Sequence, residues 1–388
     1  MTDIIKTETM DQPDAFYKEL LTSTISEGYP KYLQENLLKS MEKRAVLLLK
    51  KRAKTPQNSN ILDLSEVEET LDQISMAIEN EEEAIKYFER NEFHKSYKYS
   101  AVFYVDNIDV DLINSLQERE EVIDFFDSEQ YHDISSGDHR VTKPTNYFIG
   151  NVMMFKFSKV LTGFIPGSGV KKQIKYPIIG VYFKKMNVLE IRLDSTRPMF
   201  RQSELFYEEQ INLVLDWFEE NLKCNFRKIN FPPIIEYIKT HKQNEVVVDA
   251  QSMCFKNGSK AVLENGINEN YVLPLLGELK ELIKVNQDTF DKSPEIKKLI
   301  ETFITETETL SDLPWVTLVW KSDKTKVKFK FGATDDDYTI LQYYGRQSDM
   351  EKMNDVTKYI IENQEELNQI SESKSESVRE LALDNRVV

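Results

Sequence analysis

Histidine and carboxylate side chains gather in one polar segment, and these are the residue types that bind transition metals. The segment spans residues 132–139. Its metal-binding candidates are His132, Asp133, Asp138 and His139. Together with His94 upstream, such groups could hold zinc, manganese or iron and activate a water molecule for hydrolysis. The Ser-Ser-Gly-Asp sequence within the segment is equally typical of a polar surface turn. A metal-dependent hydrolase is therefore one function that the sequence allows.

The order of His94 followed by His132-Asp133 resembles the metal-dependent phosphohydrolases of the HD type. The resemblance covers three residues. It implies an all-helical fold with a further aspartate ligand, whereas the residues around 132–139 predict strands. The resemblance therefore supports the hydrolase only as an alternative, and it assigns no family.

Glu190-Ile-Arg192 is a second pattern with catalytic potential, because a carboxylate followed at this spacing by lysine is typical of metal-dependent nucleases. Here arginine replaces the lysine, and arginine cannot shuttle a proton. Alternation along residues 188–194 predicts apolar side chains on the core face and charged ones on the solvent face. The charged ones are Glu190, Arg192 and Asp194. This alternation favours a structural strand over a catalytic one.

The glycine-rich segment 163–172 is similar to a phosphate-binding loop in composition only. It lacks the Gly-x4-Gly-Lys-Ser/Thr spacing, and the residues after it predict a strand and not the helix that would hold a phosphate. We therefore predict a hairpin loop. The two cysteines, Cys224 and Cys254, have no metal-binding spacing and read as small buried apolar residues in a reduced protein. We predict no cofactor.

Local charge is the most informative feature of the sequence. The whole chain carries a net charge of −16, yet two segments are strongly basic. Residues 171–201 contain eight bases against two acids, and residues 321–331 contain five lysines against one aspartate. The bases are Lys171, Lys172, Lys175, Lys184, Lys185, Arg192, Arg197 and Arg201 in the first segment and Lys321, Lys324, Lys326, Lys328 and Lys330 in the second. These thirteen residues are the predicted nucleic-acid-binding residues.

Alternation in the second basic segment predicts a strand with one charged face. Lys326, Lys328 and Lys330 fall on one side, with valine and phenylalanine between them on the other. Such a row suits the tracking of phosphates, and nearby tyrosines could stack on bases. The tyrosines are Tyr182, Tyr343 and Tyr344. The alternative is a solvated face whose lysines only guard an outer strand against aggregation.

The elements that position these residues predict an α+β fold. Helical periodicity dominates the region 1–95, including one helix over residues 32–54 and another that begins near Val67. Two α/β modules follow, at 96–240 and 241–370, and a polar tail occupies 371–388. Each module contains a strand hairpin and a long amphipathic helix. Similar segments around Pro177 and Pro314 raise the hypothesis of an internal duplication, while any hairpin followed by a helix would look much the same.

Composition narrows the function class. The chain of 388 residues has globular composition, and the sequence predicts neither a signal peptide nor a span of about 20 apolar residues. We predict a non-catalytic, cytoplasmic binding or adaptor subunit, with no membrane partner, that uses a basic β-hairpin face. Nucleic acid or an acidic protein surface is the expected partner, together with a protein partner or oligomer. Lysine in excess over arginine, together with frequent isoleucine, asparagine and tyrosine, favours a bacterial or phage origin, with antiviral defence or a mobile element as the setting.

Overall fold

The computed structural model describes most of the chain, and the structural statements below concern that part. The described residues are 12–50, 61–106, 108–125, 143–254, 260–264, 274–309, 312–332, 338–345 and 349–384. Helices come first and sheets follow, so the predicted α+β class is confirmed. Two compact units divide the chain, Met1–Arg227 and Lys228–Val388. The predicted boundaries near residues 95 and 240, and the internal duplication, stay predictions.

The first unit begins with a helical region whose apolar stripes meet in one core. Its elements are α1 (Gln12–Gly28), α2 (Lys31–Lys43), β1 (Leu47–Leu48), β2 (Leu62–Asp63), α3 (Thr70–Asn80) and α4 (Glu82–His94). Leu21 and Ile25 of α1, Leu38 of α2 and Ile78 of α3 are buried in this core. Amphipathic helices bury such stripes against one another because apolar side chains recur on one face every three or four residues.

The helix predicted over residues 32–54 ends earlier than its periodicity indicates, so this prediction is wrong for residues 44–50, and residues 51–54 lie outside the described part of the chain. Ala45 adopts a positive φ of 59°, which a helix does not tolerate. Leu47 then pairs with Leu62 in a short parallel ladder and is buried there. The leucines at 47–49 continue the apolar run, so periodicity alone could not separate the strand from the helix.

A mixed sheet forms the rest of the first unit. Its strands, in the order in which they lie side by side, are β3 (Tyr99–Val105), β8 (Val188–Leu193), β7 (Lys171–Phe183), β6 (Val152–Phe164), β5 (Thr145–Ile149) and β4 (Ile123–Asp124). The other elements are α5 (Val110–Glu118), a 3₁₀ turn (Pro198–Phe200), α6 (Phe206–Leu222) and β9 (Phe226–Lys228). β6 and β7 pair along all thirteen residues, which makes them a long antiparallel ribbon.

Aromatic packing holds α6 against this sheet. The ring of Phe218 lies 5.1 Å from that of Phe155 and 6.2 Å from that of Phe157. A Cβ atom on Gly180 would lie 3.2 Å from Phe218, closer than most such contacts. Glycine at this strand position therefore lets the helix approach the sheet closely.

The strands of the second unit pair in antiparallel fashion. Its strands, in spatial order, are β11 (Lys260–Glu264), β10 (Val246–Cys254), β12 (Asp312–Trp320), β13 (Lys326–Lys330) and β14 (Ile340–Tyr344). Its helices are α7 (Phe231–His241), α8 (Pro274–Val285), α9 (Gln287–Phe290), α10 (Pro294–Thr309) and α11 (Met350–Asp384). Helix α11 continues through most of the segment predicted to be a polar tail.

One face of the strands in the second unit is their core face. Phe329 of β13 lies 6.0 Å from the ring of Phe231 in α7, and Trp320 of β12 lies 5.7 Å from the ring of Tyr359 in α11. Val327 and Phe329 are fully buried. Because side chains alternate along a strand, Lys326, Lys328 and Lys330 must lie on the opposite face.

Candidate nucleic-acid interface

The lysines of β13 form a row on the face away from α7 and α11. Burial alternates along the strand, with Val327 and Phe329 buried and Lys326, Lys328 and Lys330 partly exposed. Alternate residues of a strand lie about 6.8 Å apart, so three ammonium groups follow one another along this face. The structure therefore has the one-sided arrangement that the sequence predicts for this strand.

Pairing with the two neighbouring strands fixes what lies beside each lysine. Lys328 stands between Thr317 of β12 and Gln342 of β14, and Lys330 pairs with Trp315. A one-residue slip would turn every side chain to the other face and expose Val327 and Phe329, so burial of the core fixes this register. We call Lys326, Lys328, Lys330, Trp315 and Tyr344 the β13 face.

Aromatic rings lie under the lysines of the β13 face. The Lys328 ammonium is 3.4 Å from the centre of the Trp315 ring, a cation–π contact. Lys326 lies 5.9 Å from the centre of the Tyr344 ring, and its Nζ is 2.6 Å from an Asp249 carboxylate oxygen. Tyr344 was a predicted stacking residue, whereas Trp315 was not. Its position opposite Lys330 in the hairpin was the available signal.

Desolvation acts on two of these lysines. Burial lowers the pKa of Lys328, and burial together with the charge of Lys328 lowers the pKa of Lys330. A lowered lysine pKa means that the charged form is less stable here than in water. A bound anion would therefore gain more from these two ammonium groups than from fully solvated ones. The remaining predicted lysines of this segment, Lys321 and Lys324, lie in the turn before the strand.

The basic residues predicted in the first unit do not form one face, because the fold separates them into three places. Lys184 and Lys185 are exposed in the turn that joins β7 to β8. Lys171, Lys172, Arg197 and Arg201 lie around the other end of the β6–β7 ribbon. Lys175 and Arg192 are buried, with about 1% of their surface exposed, so they cannot belong to a solvent-exposed basic face.

Lys175 belongs to a buried ion cluster. Its Nζ lies 2.7 Å from a carboxylate oxygen of Glu92, and the Nζ of Lys156 on β6 lies 2.9 Å from the same oxygen. Both lysines also pair with Glu89, which accepts a further hydrogen bond from the Tyr17 hydroxyl. We call Glu89, Glu92, Lys156 and Lys175 the buried ion cluster. Two acids and two bases balance, as a group of buried charges requires.

The opposite charges of the cluster lower the pKa of Glu89 and raise the pKa of Lys156. Burial alone would raise the pKa of Glu89, but Lys156 and Lys175 outweigh it and hold the pKa well below the ordinary value. Burial alone would lower the pKa of Lys156, but Glu89 and Glu92 outweigh it and raise the pKa. Glu89 and Lys156 therefore stay charged near neutral pH. The ion pairs of the cluster tie helix α4 to the ribbon.

Sequence reasoning missed this cluster, although a signal was present. Glu89 and Glu92 share the helical stripe of Ile85 and Phe88, so two acids occupy positions where α4 buries its side chains. Acids at such positions need buried cations. Lysines on the central strands β6 and β7 were the natural partners.

Glu190 and Arg192 correct another expectation. We predicted that Glu190, Arg192 and Asp194 face water, but all six residues of β8 are buried, because both faces of this central strand are covered. Arg192 donates a hydrogen bond of 2.6 Å to Glu190, two residues away on the same face. The expectation is wrong for these two residues. Asp194, just beyond the strand, is partly exposed and pairs with Lys95.

The metal-binding alternative falls mostly outside the described residues. His132, Asp133, Asp138 and His139 are not among them. His94 ends α4 and lies 5.7 Å from the ring of Tyr147. Within the described ranges, no group of three or more histidine, cysteine or acidic side chains could hold a metal. The metal hydrolase therefore stays a prediction for the segment 132–139.

Both cysteines lie among the described residues, and neither is fully exposed. Cys224 is buried, and burial, together with Asp106 and Glu219, raises the pKa of its thiol to about 11. A thiol with a raised pKa carries little thiolate near neutral pH and is a weak nucleophile. Cys254 is partly buried and, like Cys224, forms no disulfide.

Comparison with known proteins adds no identity. No protein-family model matches the sequence, and no curated protein shows significant similarity to it. Among the helices in the described parts of the chain, none has the length and apolar character needed to cross a membrane. We therefore infer the function of the protein from the chemistry of its surfaces.

Proposed function

We propose that the protein is a non-catalytic binding protein whose β13 face contacts the phosphate backbone of a nucleic acid. The observation that carries this proposal is the row of Lys326, Lys328 and Lys330 with Trp315 and Tyr344 on the same face. Ammonium groups in a line neutralise successive phosphates, and aromatic rings beside them offer surfaces on which bases stack.

The state of Lys328 and Lys330 supports an anionic ligand. Their lowered pKa values record charge that is poorly solvated by water, and Lys330 is further lowered by the neighbouring Lys328. A phosphate between two such lysines relieves both effects. A face that serves only to prevent aggregation needs charge, but it gains nothing from desolvating that charge or from seating it on a tryptophan ring.

The experiment measures binding of fluorescently labelled DNA and RNA to the full chain by anisotropy at several salt concentrations. The test variant is Lys328→Glu with Lys330→Glu. The matched control is Lys280→Glu with Lys298→Glu, which makes the same charge change on exposed helical positions of the same unit. Lys326 is left intact because it pairs with Asp249.

Three neutralised phosphates predict that the logarithm of the affinity falls against the logarithm of salt with a slope of about −2 to −3. The test variant should bind at least about tenfold more weakly and with a shallower slope, while the control resembles the wild type. Equal weakening by both variants would reduce the effect to net charge and remove the proposal. Salt-sensitive capture of an acidic protein without any nucleic-acid binding would assign the face to the other predicted partner.

The wider setting belongs to the same proposal. We place the protein in the cytoplasm, as a subunit of a larger assembly in antiviral defence or a mobile element of a bacterium or phage. Composition supports this setting, with lysine in excess over arginine and two cysteines that form no disulfide. Affinity purification of the tagged protein from its host, with and without nuclease, tests it. A partner that co-purifies only before nuclease treatment is expected, and recovery of the chain alone would contradict it.

A further inference from the structure

The end of the β6–β7 ribbon carries exposed apolar side chains next to cations. We call residues 163–172 the ribbon tip. Phe164 is 60% exposed and Val170 is 51% exposed, which places both among the exposed large apolar side chains of the described residues. They lie on opposite faces, because Phe164 pairs directly with Lys171 while Val170 hydrogen-bonds across to Ile165. The tip is therefore apolar on both sides.

The backbone makes this tip narrow. Gly167 and Gly169 adopt positive φ values of 86° and 67°, a region that other residues rarely occupy, and nothing within 4 Å crowds either of them. The chain therefore reverses in a few exposed residues, with Pro166 among them. The apex is therefore the end of one two-stranded ribbon, in which the axes of the two strands lie about 4.8 Å apart.

Cations surround the base of the tip and not its apex. Glu27 of α1 lies 2.5 Å from Arg197 and 3.5 Å from Lys172, so it holds these two cations side by side. A Cβ atom on Gly163 would lie 2.6 Å from the Met199 carbonyl oxygen, so the turn that follows Arg197 rests against the ribbon. Arg201 ends that turn. Lys172 and Arg197 therefore share Glu27 at the base of the tip, and Lys171 is the residue next to Lys172 on β7.

We propose that the ribbon tip enters the minor groove of duplex DNA as an apolar wedge. This inference rests on the proposed nucleic-acid binding and adds a second feature of the ligand, a duplex region that is bent on binding, to the unpaired bases that stack on the β13 face. Minor-groove proteins insert apolar side chains between base steps and place lysine and arginine on the flanking phosphates. The undistorted minor groove is about 6 Å wide, so entry of a two-stranded ribbon requires the groove to open as the duplex bends.

A membrane surface is the competing partner, since it too combines an apolar interior with anions. The exposed parts of two side chains offer less apolar area than one acyl chain, and a single acyl chain gives only marginal membrane binding. The small apolar area therefore favours DNA, where insertion at one base step needs only a single wedge.

The test uses the full chain and a duplex labelled at both ends, so that energy transfer reports bending and anisotropy reports affinity. The test variant is Phe164→Ala with Val170→Ala. The control is Phe148→Ala, a phenylalanine of β5 that is 49% exposed away from the tip. Thermal melting checks that each variant folds. We expect each variant to fold because the replaced side chains are exposed. Flotation with phosphatidylserine vesicles runs in parallel.

We expect the wild type and Phe148→Ala to raise energy transfer when the duplex is saturated with protein. The tip variant should not bend the duplex, and it should bind roughly tenfold more weakly because one stacking contact is lost. Bending by the tip variant equal to the wild type would overturn the inference. Vesicle binding that needs the tip, with DNA bending unchanged, would assign the tip to lipid. If Lys328→Glu with Lys330→Glu leaves affinity intact while the tip variant loses bending, the β13 face fails and the tip stands.

Discussion

Two strands of this protein, β7 and β13, carry lysines, and the fold turns Lys175 and Lys328 in opposite ways. On β7, Lys175 points into the protein and meets Glu89 and Glu92. On β13, Lys328 points outward and rests on Trp315. The difference lies in what covers each strand. A helix with acids at buried positions covers the face of β7, whereas α7 and α11 pack on the face opposite to the lysines of β13.

The comparison teaches that a lysine on a strand does not by itself mark a binding surface. A central strand with both faces covered buries its lysines and requires acids from a neighbouring helix to balance them. A strand with one open face can present its lysines to a ligand. The four predictions below test this distinction, from the largest expected effect to the smallest.

Loss of one charge from the buried ion cluster should destabilise the protein most. Glu89→Gln leaves Lys156 and Lys175 with a single acid in a site closed to water, and the expected loss is about 3–5 kcal/mol in the free energy of unfolding. Urea unfolding measures it. Replacing all four members with apolar residues of similar size should restore most of this loss. Wild-type stability of Glu89→Gln would show that the cluster is not closed to water.

The cluster also predicts the response to acid. The pKa of Glu89 is lowered in the folded state, so its contribution to stability is present above the ordinary value of 4.5 and is lost as pH falls toward the folded value. The pKa of Lys156 is raised, so its contribution persists up to 10.5 and is lost as pH rises further. Unfolding monitored against pH should therefore show a broad plateau. Glu89→Gln should flatten the acid side, and an unchanged acid side would contradict the assignment.

Removal of the ring under Lys328 should weaken binding by an intermediate amount. Trp315→Ala removes a stacking surface that is worth about 1–3 kcal/mol for a base, so affinity for single-stranded DNA should fall about tenfold. Trp315→Phe should recover part of the affinity because a smaller ring remains. Anisotropy measures both variants. Equal affinity of Trp315→Ala and wild type would limit the β13 face to its charges.

The ion pair between Lys326 and Asp249 should matter least. Its two side chains are 39% and 36% exposed, and pairs of this kind contribute about 0–1 kcal/mol. Lys326→Gln should therefore change urea stability by less than about 1 kcal/mol. A loss comparable with that of Glu89→Gln would mean that β13 lysines are as structural as those of β7, and the distinction between the strands would disappear.

The sequence predicts the α+β class and the one-sided lysines of β13, because alternation and β-rich composition are local signals. It does not predict the end of α2, since the leucines after Lys43 extend the helical pattern into a strand. Nor does it predict which lysines are buried. That depends on which helix covers which sheet face, and such contacts join residues far apart in the chain, as between Lys175 and Glu89.

The candidate site shows the same limit. Thirteen basic residues were predicted from two segments, and the fold divides them into one short row on β13, one group near the ribbon tip, one pair in each of two turns and two buried residues. Composition identified the segments, but strand order decided which side chains face the same way. Trp315 entered the β13 face only through its register with Lys330.

Lysine acylation followed by mass spectrometry, with and without saturating nucleic acid, tests the central claim most directly. Lys326, Lys328 and Lys330 should react in the folded protein and become protected when nucleic acid binds, while Lys156 and Lys175 should react only after unfolding. Acylation of Lys175 in the folded protein, or equal acylation of the β13 lysines with and without nucleic acid, would contradict the claim that the fold keeps one set of lysines for structure and the other for binding.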